Sequence, residues 1–149
     1  MLGYIASYTL VRYAGSLIEM EQVNKKKILI ADDEASVRSL VKRLLSKNYI
    51  VLEANDGKEA VSMAYNENPD LILMDIMMPN MDGNTACYAL KENQTTKAIP
   101  VVMLTAVGYE LNKKLSQDIM GADGYMTKPF SSQDLREAVS QFLKPAHKI

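Results

Sequence analysis

The sequence predicts an α/β domain in which helices cover both faces of a parallel β-sheet. Short apolar runs typical of strands alternate with helical patterns from Lys27 to about Leu143. The central run is continuously apolar, as expected for a strand covered on both faces, because a half-exposed strand alternates with polar residues. A length of 149 residues, with 48% hydrophobic side chains, suits one domain with one core. Five strands alternating with five helices imply parallel strands joined by right-handed crossovers.

Five segments are predicted as strands. The third is an apolar run that follows Pro69, ends in Asp75 and stops at Pro79. The fourth leads into Thr105. In chain order, the predicted strands are Ile28–Ala31, Ile50–Ala54, Leu71–Asp75, Ile99–Leu104 and Gly124–Thr127.

Five helices are predicted after these strands, over about residues 34–46, 57–66, 84–92, 109–120 and 131–143. Apolar residues recur at helical spacing on one face of each of the first two. In these helices the inward residues are Val37, Leu40, Val41, Leu44 and Leu45, and then Ala60, Val61, Met63 and Ala64. Gly121 suits the left-handed end of the fourth helix, and Ser131 is a good N-cap for the last.

Residues 1–24 precede the regular pattern and are expected to form an extension of helical character. Their longest uncharged run, Met1–Val11, is too short to span a bilayer, which needs roughly 20 apolar residues. The segment also fits a secretory signal poorly, since no basic residue precedes the apolar stretch. Because Met20 directly precedes a natural domain start, residues 1–19 are either a dispensable extension or the product of an upstream start of translation.

The composition excludes several functional classes. A formal net charge of −1 gives no electrostatic reason to expect nucleic acid or an anionic membrane as partner. The single cysteine, Cys87, excludes an intramolecular disulfide, and the only histidine, His147, lies in the tail, so a zinc site is not expected. We expect Cys87 to be a buried helix residue in a cytoplasmic protein rather than a reactive thiol.

Polar residues lie at the ends of four predicted strands. Asp32 and Asp33 follow the first strand, Asp75 ends the third, Thr105 ends the fourth, and Lys128 follows the fifth. Because the carboxyl ends of parallel strands meet at one edge of the sheet, these side chains are expected to form one site. Three mutually repulsive carboxylates favour a hard cation with oxygen ligands, and Mg²⁺ fits best, with Mn²⁺ as an alternative.

Each of these residues has a structural interpretation on its own. Asp32 or Asp33 would serve as a helix N-cap, and Asp75 as the cap of the turn over residues 78–83. Thr105 would be an ordinary β-branched strand residue, and Lys128 a surface charge. Their joint position at four strand ends favours a functional site.

Four segments resemble the receiver domain of two-component response regulators, and the resemblance covers about Lys26 to Leu143. These segments are Ile28–Asp33, Asp75–Gly83, Leu104–Ala106 and Gly121–Phe130. The resemblance implies a flavodoxin-like (βα)5 fold with strand order 2-1-3-4-5. It also implies that Asp75 is the phosphoacceptor, that Asp33 binds Mg²⁺ directly and Asp32 through water, and that the carbonyl of Met77 completes the protein's share of the coordination.

The same resemblance assigns roles to the remaining site residues. Lys128 would pair with the phosphoryl group and with Asp75, while the Thr105 hydroxyl and the Ala106 amide would bind phosphoryl oxygens. Tyr125 matches an aromatic switch position that responds to Thr105. The peptide between Lys128 and Pro129 is expected to be cis.

The resemblance implies a stand-alone signalling domain rather than an enzyme with a foreign substrate. A sensor histidine kinase or a histidine phosphotransfer protein would donate the phosphoryl group, and the protein would catalyse only its own phosphorylation and dephosphorylation. Residues 1–24 would be the extension, 25–145 the receiver domain and 146–149 a tail. Since so little follows the last helix, we expect output through an unknown protein target, without direct DNA binding or membrane insertion, from a monomer or weak dimer.

Three rival classes fit the residues less well. Phosphatases of the haloacid dehalogenase type need a second acid two positions after the nucleophile, where this chain has Met77. A flavodoxin cradles phosphate in its first loop, but the acidic run Ala31–Glu34 would repel an anion. A receiver-like module that no longer takes phosphate normally lacks a key residue, and none is lacking here.

Overall fold

The computed structural model describes residues 13–18, 20, 25–106 and 120–143. Five parallel strands form one sheet in the order β2-β1-β3-β4-β5, as predicted. The strands are β1 (Lys27–Ala31), β2 (Ile50–Ala54), β3 (Leu71–Asp75), β4 (Val101–Ala106) and β5 (Gly124–Lys128). The helices described after residue 25 are α1 (Ala35–Leu45), α2 (Gly57–Glu67), α3 (Gly83–Glu92) and α4 (Ser132–Phe142).

The central strand β3 is buried along its whole length, between β1 and β4. Successive side chains of a strand point to opposite faces, so the sheet contributes to two apolar layers. The first layer packs Ile72 and Met74 against α2 and α3, and the second packs Leu71 and Leu73 against α1 and α4. The predicted continuous apolar runs therefore correspond to strands covered on both faces.

Side-chain caps fix where three of the helices begin. Asp56 accepts a hydrogen bond from the Glu59 N–H at the start of α2, and Asp82 accepts one from the Thr85 N–H at the start of α3. Ser131 caps α4 as predicted, within a capping box. These caps satisfy backbone donors that a helix start leaves without partners.

The observed elements differ from the predicted bounds at a few ends. The predicted fourth strand began at Ile99, but β4 begins at Val101 because the Ile99 N–H bonds in a turn to the Thr96 carbonyl at 3.0 Å. Pro100 has no N–H to give to a ladder. The predicted helix over 109–120 lies almost wholly outside the described residues, although Gly121 has the expected left-handed backbone, with φ of 77°.

The extension and the lone cysteine agree with expectation where they are described. Residues 13–18 and 20 are helical. Cys87 is fully buried on α3. Within the described ranges, no helix is both long enough and apolar enough to cross a membrane.

Candidate functional site

Two neighbouring strands bring the three predicted acids together. Asp75 is the last residue of β3, and Asp32 and Asp33 follow directly after β1, which pairs with β3 through Ala31 and Met74. One carboxylate oxygen from each acid lies within 4.8 Å of the others. This spacing suits a small, hard cation with oxygen ligands, because such an ion offsets the repulsion of the acids.

Asp32 is the fully buried member of the cluster, and each of its carboxylate oxygens accepts a hydrogen bond. Its Oδ2 accepts a hydrogen bond from Lys128 Nζ at 2.5 Å, and its Oδ1 accepts one from the Glu34 N–H at 2.9 Å. Its backbone carbonyl accepts a further bond from Arg38 Nη1 at 2.8 Å. Asp33 is exposed, and no described residue donates to its carboxylate. Asp33 is therefore the acid that is freer to bind a metal directly.

Lys128 reaches the acids from β5, an edge strand of the sheet. It ends β5, and its Nζ lies 3.2 Å from Asp75 Oδ1 as well as 2.5 Å from Asp32 Oδ2. Burial lowers the pKa of Lys128, but its bonds and charge interactions with the two acids outweigh that effect and leave the pKa raised. Lys128 is thus a stable cation. The peptide between it and Pro129 is cis, as the resemblance implied.

Asp75 is 7% exposed. Burial and then the charge of Asp32 raise the pKa of Asp75 to about 6, although Lys128 opposes the shift. The carboxylate is still mainly ionised at neutral pH, but its charge is incompletely compensated. A bound cation would lower this pKa again.

The remaining predicted residues line a cleft of about 220 Å³ around Asp75, together with Glu34. Thr105 is buried and Ala106 is exposed at the end of β4. Because Asp75 pairs with Leu104, Thr105 lies one step beyond it along the neighbouring strand. Met77 also lines the cleft and is 68% exposed.

Tyr125 does not line this cleft, and neither do the predicted site residues Asp32 and Pro129. Tyr125 lies on β5, pairs with Met103, and packs partly buried against the apolar layer that faces α2 and α3. Thr105 pairs with Thr127, two residues further on. Since strand residues alternate with a period of two, Thr105 and Tyr125 project from the same face of the sheet.

The capping roles considered for these acids in the sequence are not the roles that they have in the structure. The N-cap of α1 is Glu34, which makes no side-chain cap, so neither Asp32 nor Asp33 caps that helix. The turn over residues 78–83 is closed by its own backbone, through the Met81 N–H and the Pro79 carbonyl, while the Asp75 carboxylate pairs with Lys128. Asp32 does stabilise the turn before α1 by accepting the Glu34 N–H, which is a local role compatible with a site.

The roles of several neighbours of the site were not predicted from the sequence. Arg38, Asp56 and Asn80 form hydrogen bonds to or beside the strand-end loops, and Gly83 packs closely on β3. The Asp82-Gly83 pair was visible as part of a motif. The partnership of Asp56 and Asn80 spans 24 positions and leaves no local signal.

The sequence matches a family model and curated relatives. Residues 28–140 match the response regulator receiver domain. The chain is 41% identical over 128 residues to the transcriptional regulatory protein ResD of Bacillus subtilis, covering 85% of this chain and 52% of that protein. It is 42% identical over 120 residues to the alkaline phosphatase synthesis transcriptional regulatory protein PhoP of the same organism, covering 80% and 49%. The chain thus spans about half the length of the curated relatives it matches.

Solved structures match over nearly their whole length. A putative response regulator from Chloroflexus aurantiacus superimposes with a TM-score of 0.75 at 32% identity, covering 82% of this chain and all of that chain. The chemotaxis response regulator CheY4 of Vibrio cholerae gives a TM-score of 0.74 at 32% identity, covering 80% and 100%. The receiver domain of sensor histidine kinase PA1611 of Pseudomonas aeruginosa, which holds a magnesium ion in its active-site cleft, gives 0.73 at 25% identity, covering 79% and 97%. On its fold, its strand-end acids and these matches, the chain belongs to the response regulator receiver domain family.

Proposed function

We propose that this protein accepts a phosphoryl group on Asp75 in a magnesium-dependent reaction and signals through a phosphorylation-dependent protein contact. The observation that carries the proposal is the cluster of three carboxylates with Lys128 bonded to two of them. Receiver domains take phosphoryl groups from histidine kinases. The donor here would be a sensor histidine kinase or a histidine phosphotransfer protein.

The donor set fits Mg²⁺. Carboxylate oxygens are hard ligands, and Mg²⁺ commonly takes one or two carboxylates and keeps several waters. Asp33 and Asp75 would bind the ion directly together with the Met77 carbonyl, and Asp32, whose oxygens already accept two hydrogen bonds, would act through water. When bound, the ion supplies positive charge to the phosphoryl oxygens. Mn²⁺ would suit the same ligands.

The chain's own residues account for the remaining chemistry. A carboxylate oxygen of Asp75 forms a bond to phosphorus as the bond to the donor's histidine nitrogen breaks on the opposite side. Lys128, held 3.2 Å from Asp75 Oδ1, offsets the charge of the transferring group. The Thr105 hydroxyl and the Ala106 amide would bind its oxygens. No general base is needed, because Asp75 is mainly ionised at neutral pH.

Transmission would begin at Thr105. When its hydroxyl moves toward the phosphoryl group, it leaves space on the face of the sheet from which Tyr125 also projects. The surface around β5 and α4 would change and bind a protein target differently in the two states. We propose a receiver domain at 25–145 with an extension at 1–24 and a tail at 146–149, present as a monomer or weak dimer.

Labelling with a small phosphoryl donor tests the central step. The 149-residue chain incubated with acetyl phosphate and Mg²⁺ is expected to gain about 80 Da in intact mass, which corresponds to one phosphoryl group. Asp75→Asn is expected to gain nothing. Asp82→Asn is the matched control, because Asn retains the cap of α3 and the residue lies outside the cleft. Full labelling of Asp75→Asn would show that another residue is the nucleophile.

A further inference from the structure

The segment between β3 and α3, residues 76–82, carries the Met77 carbonyl that the proposed magnesium site uses. Its first residue is tied to the sheet, because the Ile76 N–H donates to the Leu104 carbonyl at 3.2 Å. Its last residue leads into α3, where the Gly83 N–H donates back to the Ile76 carbonyl at 2.8 Å. The path between these two anchors decides where the Met77 carbonyl lies.

That path contains a tight turn centred on Asn80. The Met81 N–H donates to the Pro79 carbonyl at 2.7 Å, and Asn80 between them has a φ of 65°. A three-residue turn with a positive φ is rare and strained. Such a backbone persists only when its surroundings hold it in place.

The start of α2 provides that support. Asn80 Nδ2 donates to Asp56 Oδ2 at 2.8 Å, while Asp56 Oδ1 accepts the Glu59 N–H at 2.8 Å as the cap of α2. A single carboxylate therefore joins the turn to the helix. These two bonds lower the pKa of Asp56, so the acceptor is ionised at neutral pH.

A backbone contact runs beside this side-chain bond. The Gly57 N–H donates to the Met81 carbonyl at 3.0 Å, and a Cβ on Gly57 would lie only 2.5 Å from that carbonyl oxygen. The turn thus rests directly on the first residue of α2. Asn80 itself is exposed and belongs to neither apolar layer, so its bond to Asp56 adds little to the packing of the core.

We propose that Asp56 and Asn80 are positioning residues for the metal site, whose hydrogen bond fixes the turn and thereby the Met77 carbonyl. This rests on the proposed function, since the carbonyl acts only when a cation is bound. Removing an outer partner of a metal ligand typically weakens metal binding while leaving the ligand in place. The pair would act on the metal without touching it.

Replacing Asn80 by glycine tests this assignment on the full chain. Asn80→Gly removes the hydrogen bond, yet glycine tolerates the positive φ. Asn68→Gly is the matched control: Asn68 has a φ of 47° at the other end of α2, where it serves as the C-cap. We expect Asn80→Gly to weaken Mg²⁺ binding about tenfold by titration calorimetry. We expect Asn68→Gly to bind Mg²⁺ like wild type, and we expect both variants to show similar melting temperatures without metal.

An exchange variant separates positioning from a general loss of order. In Asp56→Asn with Asn80→Asp, the new amide keeps its cap on Glu59 and donates to the new carboxylate, at unchanged net charge. We expect this variant to recover most of the affinity. Wild-type affinity in Asn80→Gly, an equal loss in Asn68→Gly, or an exchange variant as weak as Asn80→Gly would each overturn the assignment. A wild-type chain that binds no Mg²⁺ would overturn the proposed function itself and this inference with it.

Discussion

Gly83 is the residue on which the distance between the site and α3 depends. A Cβ at this position would lie 1.9 Å from the Asp75 carbonyl oxygen and 2.8 Å from its carbonyl carbon. Both are backbone atoms of β3, so no flexible side chain can move aside. The absence of a side chain at Gly83 therefore allows α3 to begin directly against the end of the strand.

We expect Gly83→Ala to destabilise the protein by about 1–3 kcal/mol, the usual effect of forcing an added carbon into a packed site. Chemical denaturation measures the free energy of unfolding. Gly15→Ala is the control, since nothing lies within 4 Å of a Cβ placed there. An equal stability for Gly83→Ala and wild type would mean that α3 shifts freely away from β3.

Cys87 illustrates how burial controls reactivity. Its thiol is fully buried and donates to the Met120 carbonyl at 3.4 Å. Burial raises the pKa of Cys87 from 9.0 to about 11, with Lys91 opposing the shift and Asp123 adding to it. The thiolate, which is the reactive form, is therefore scarce at pH 8.

We expect the native protein to react with a disulfide reagent at pH 8 far more slowly than the unfolded chain does. Since the folded state prefers the protonated thiol, the stability that Cys87 contributes is complete below about pH 9 and is lost as pH rises toward 11. Absorbance of the released thiolate, with and without denaturant, measures both rates. Equal rates would contradict the buried placement of Cys87.

At the scale of elements, continuous apolar patterning was a sufficient guide to the centre of the sheet. The segment predicted as the third strand, Leu71–Asp75, has the bounds of β3, and all five of its residues are buried. The acid at its end was anomalous in sequence because burying a carboxylate is costly, and it lies beside a lysine in the structure. Because the carboxyl ends of parallel strands meet at one edge of a sheet, Asp32 and Asp33 could then be predicted to lie beside Asp75.

Where a strand or helix begins and ends depends on hydrogen-bond partners that the local sequence pattern does not reveal. The fourth strand starts at Val101 because the Ile99 N–H bonds within a turn and Pro100 has no N–H, although both residues are apolar like those of a strand. Ile99 is nevertheless buried, so its apolar character indicates burial rather than a place in a strand. The bond between Asp56 and Asn80 joins two loops that meet only after the sheet has formed, and it could not be predicted from spacing.

Across the whole molecule, charge is balanced on average but not at the site. The formal net charge is −1, whereas the site gathers the carboxylates of Asp32, Asp33 and Asp75 beside one lysine. Elsewhere in the described ranges several acids pair with one or two cations, as in the ion pair of Lys91 with Asp123 at 2.7 Å and the pairs of Glu53 with Arg38 at 3.4 Å and Lys42 at 3.3 Å. The excess negative charge at one edge of the sheet is the feature that a bound cation would remove.

Hydrogen bonds of Lys27 hold the first residue of β1 to the segment before β3. The Lys27 N–H donates to Asp70 Oδ2 at 2.8 Å, and Lys27 Nζ donates to the Glu67 carbonyl at 3.2 Å. In the described part of the preceding extension, the large apolar side chains are more than half exposed, with Leu17 at 57% and Ile18 at 60%. The fold of the receiver domain thus draws little stability from that helix.

We therefore expect a chain that starts at Met20 to keep the melting temperature and Mg²⁺ affinity of the 149-residue chain. Exposed apolar side chains contribute little to stability, because their area is not removed from water on folding. A chain that starts at Ile28 is the contrasting variant, since it lacks both Lys27 contacts and is expected to melt at a lower temperature. Thermal unfolding of the three proteins, with and without Mg²⁺, measures these differences. If removing residues 1–19 lowers the melting temperature as much as removing residues 1–27, the extension packs on the receiver domain and is part of its folded unit.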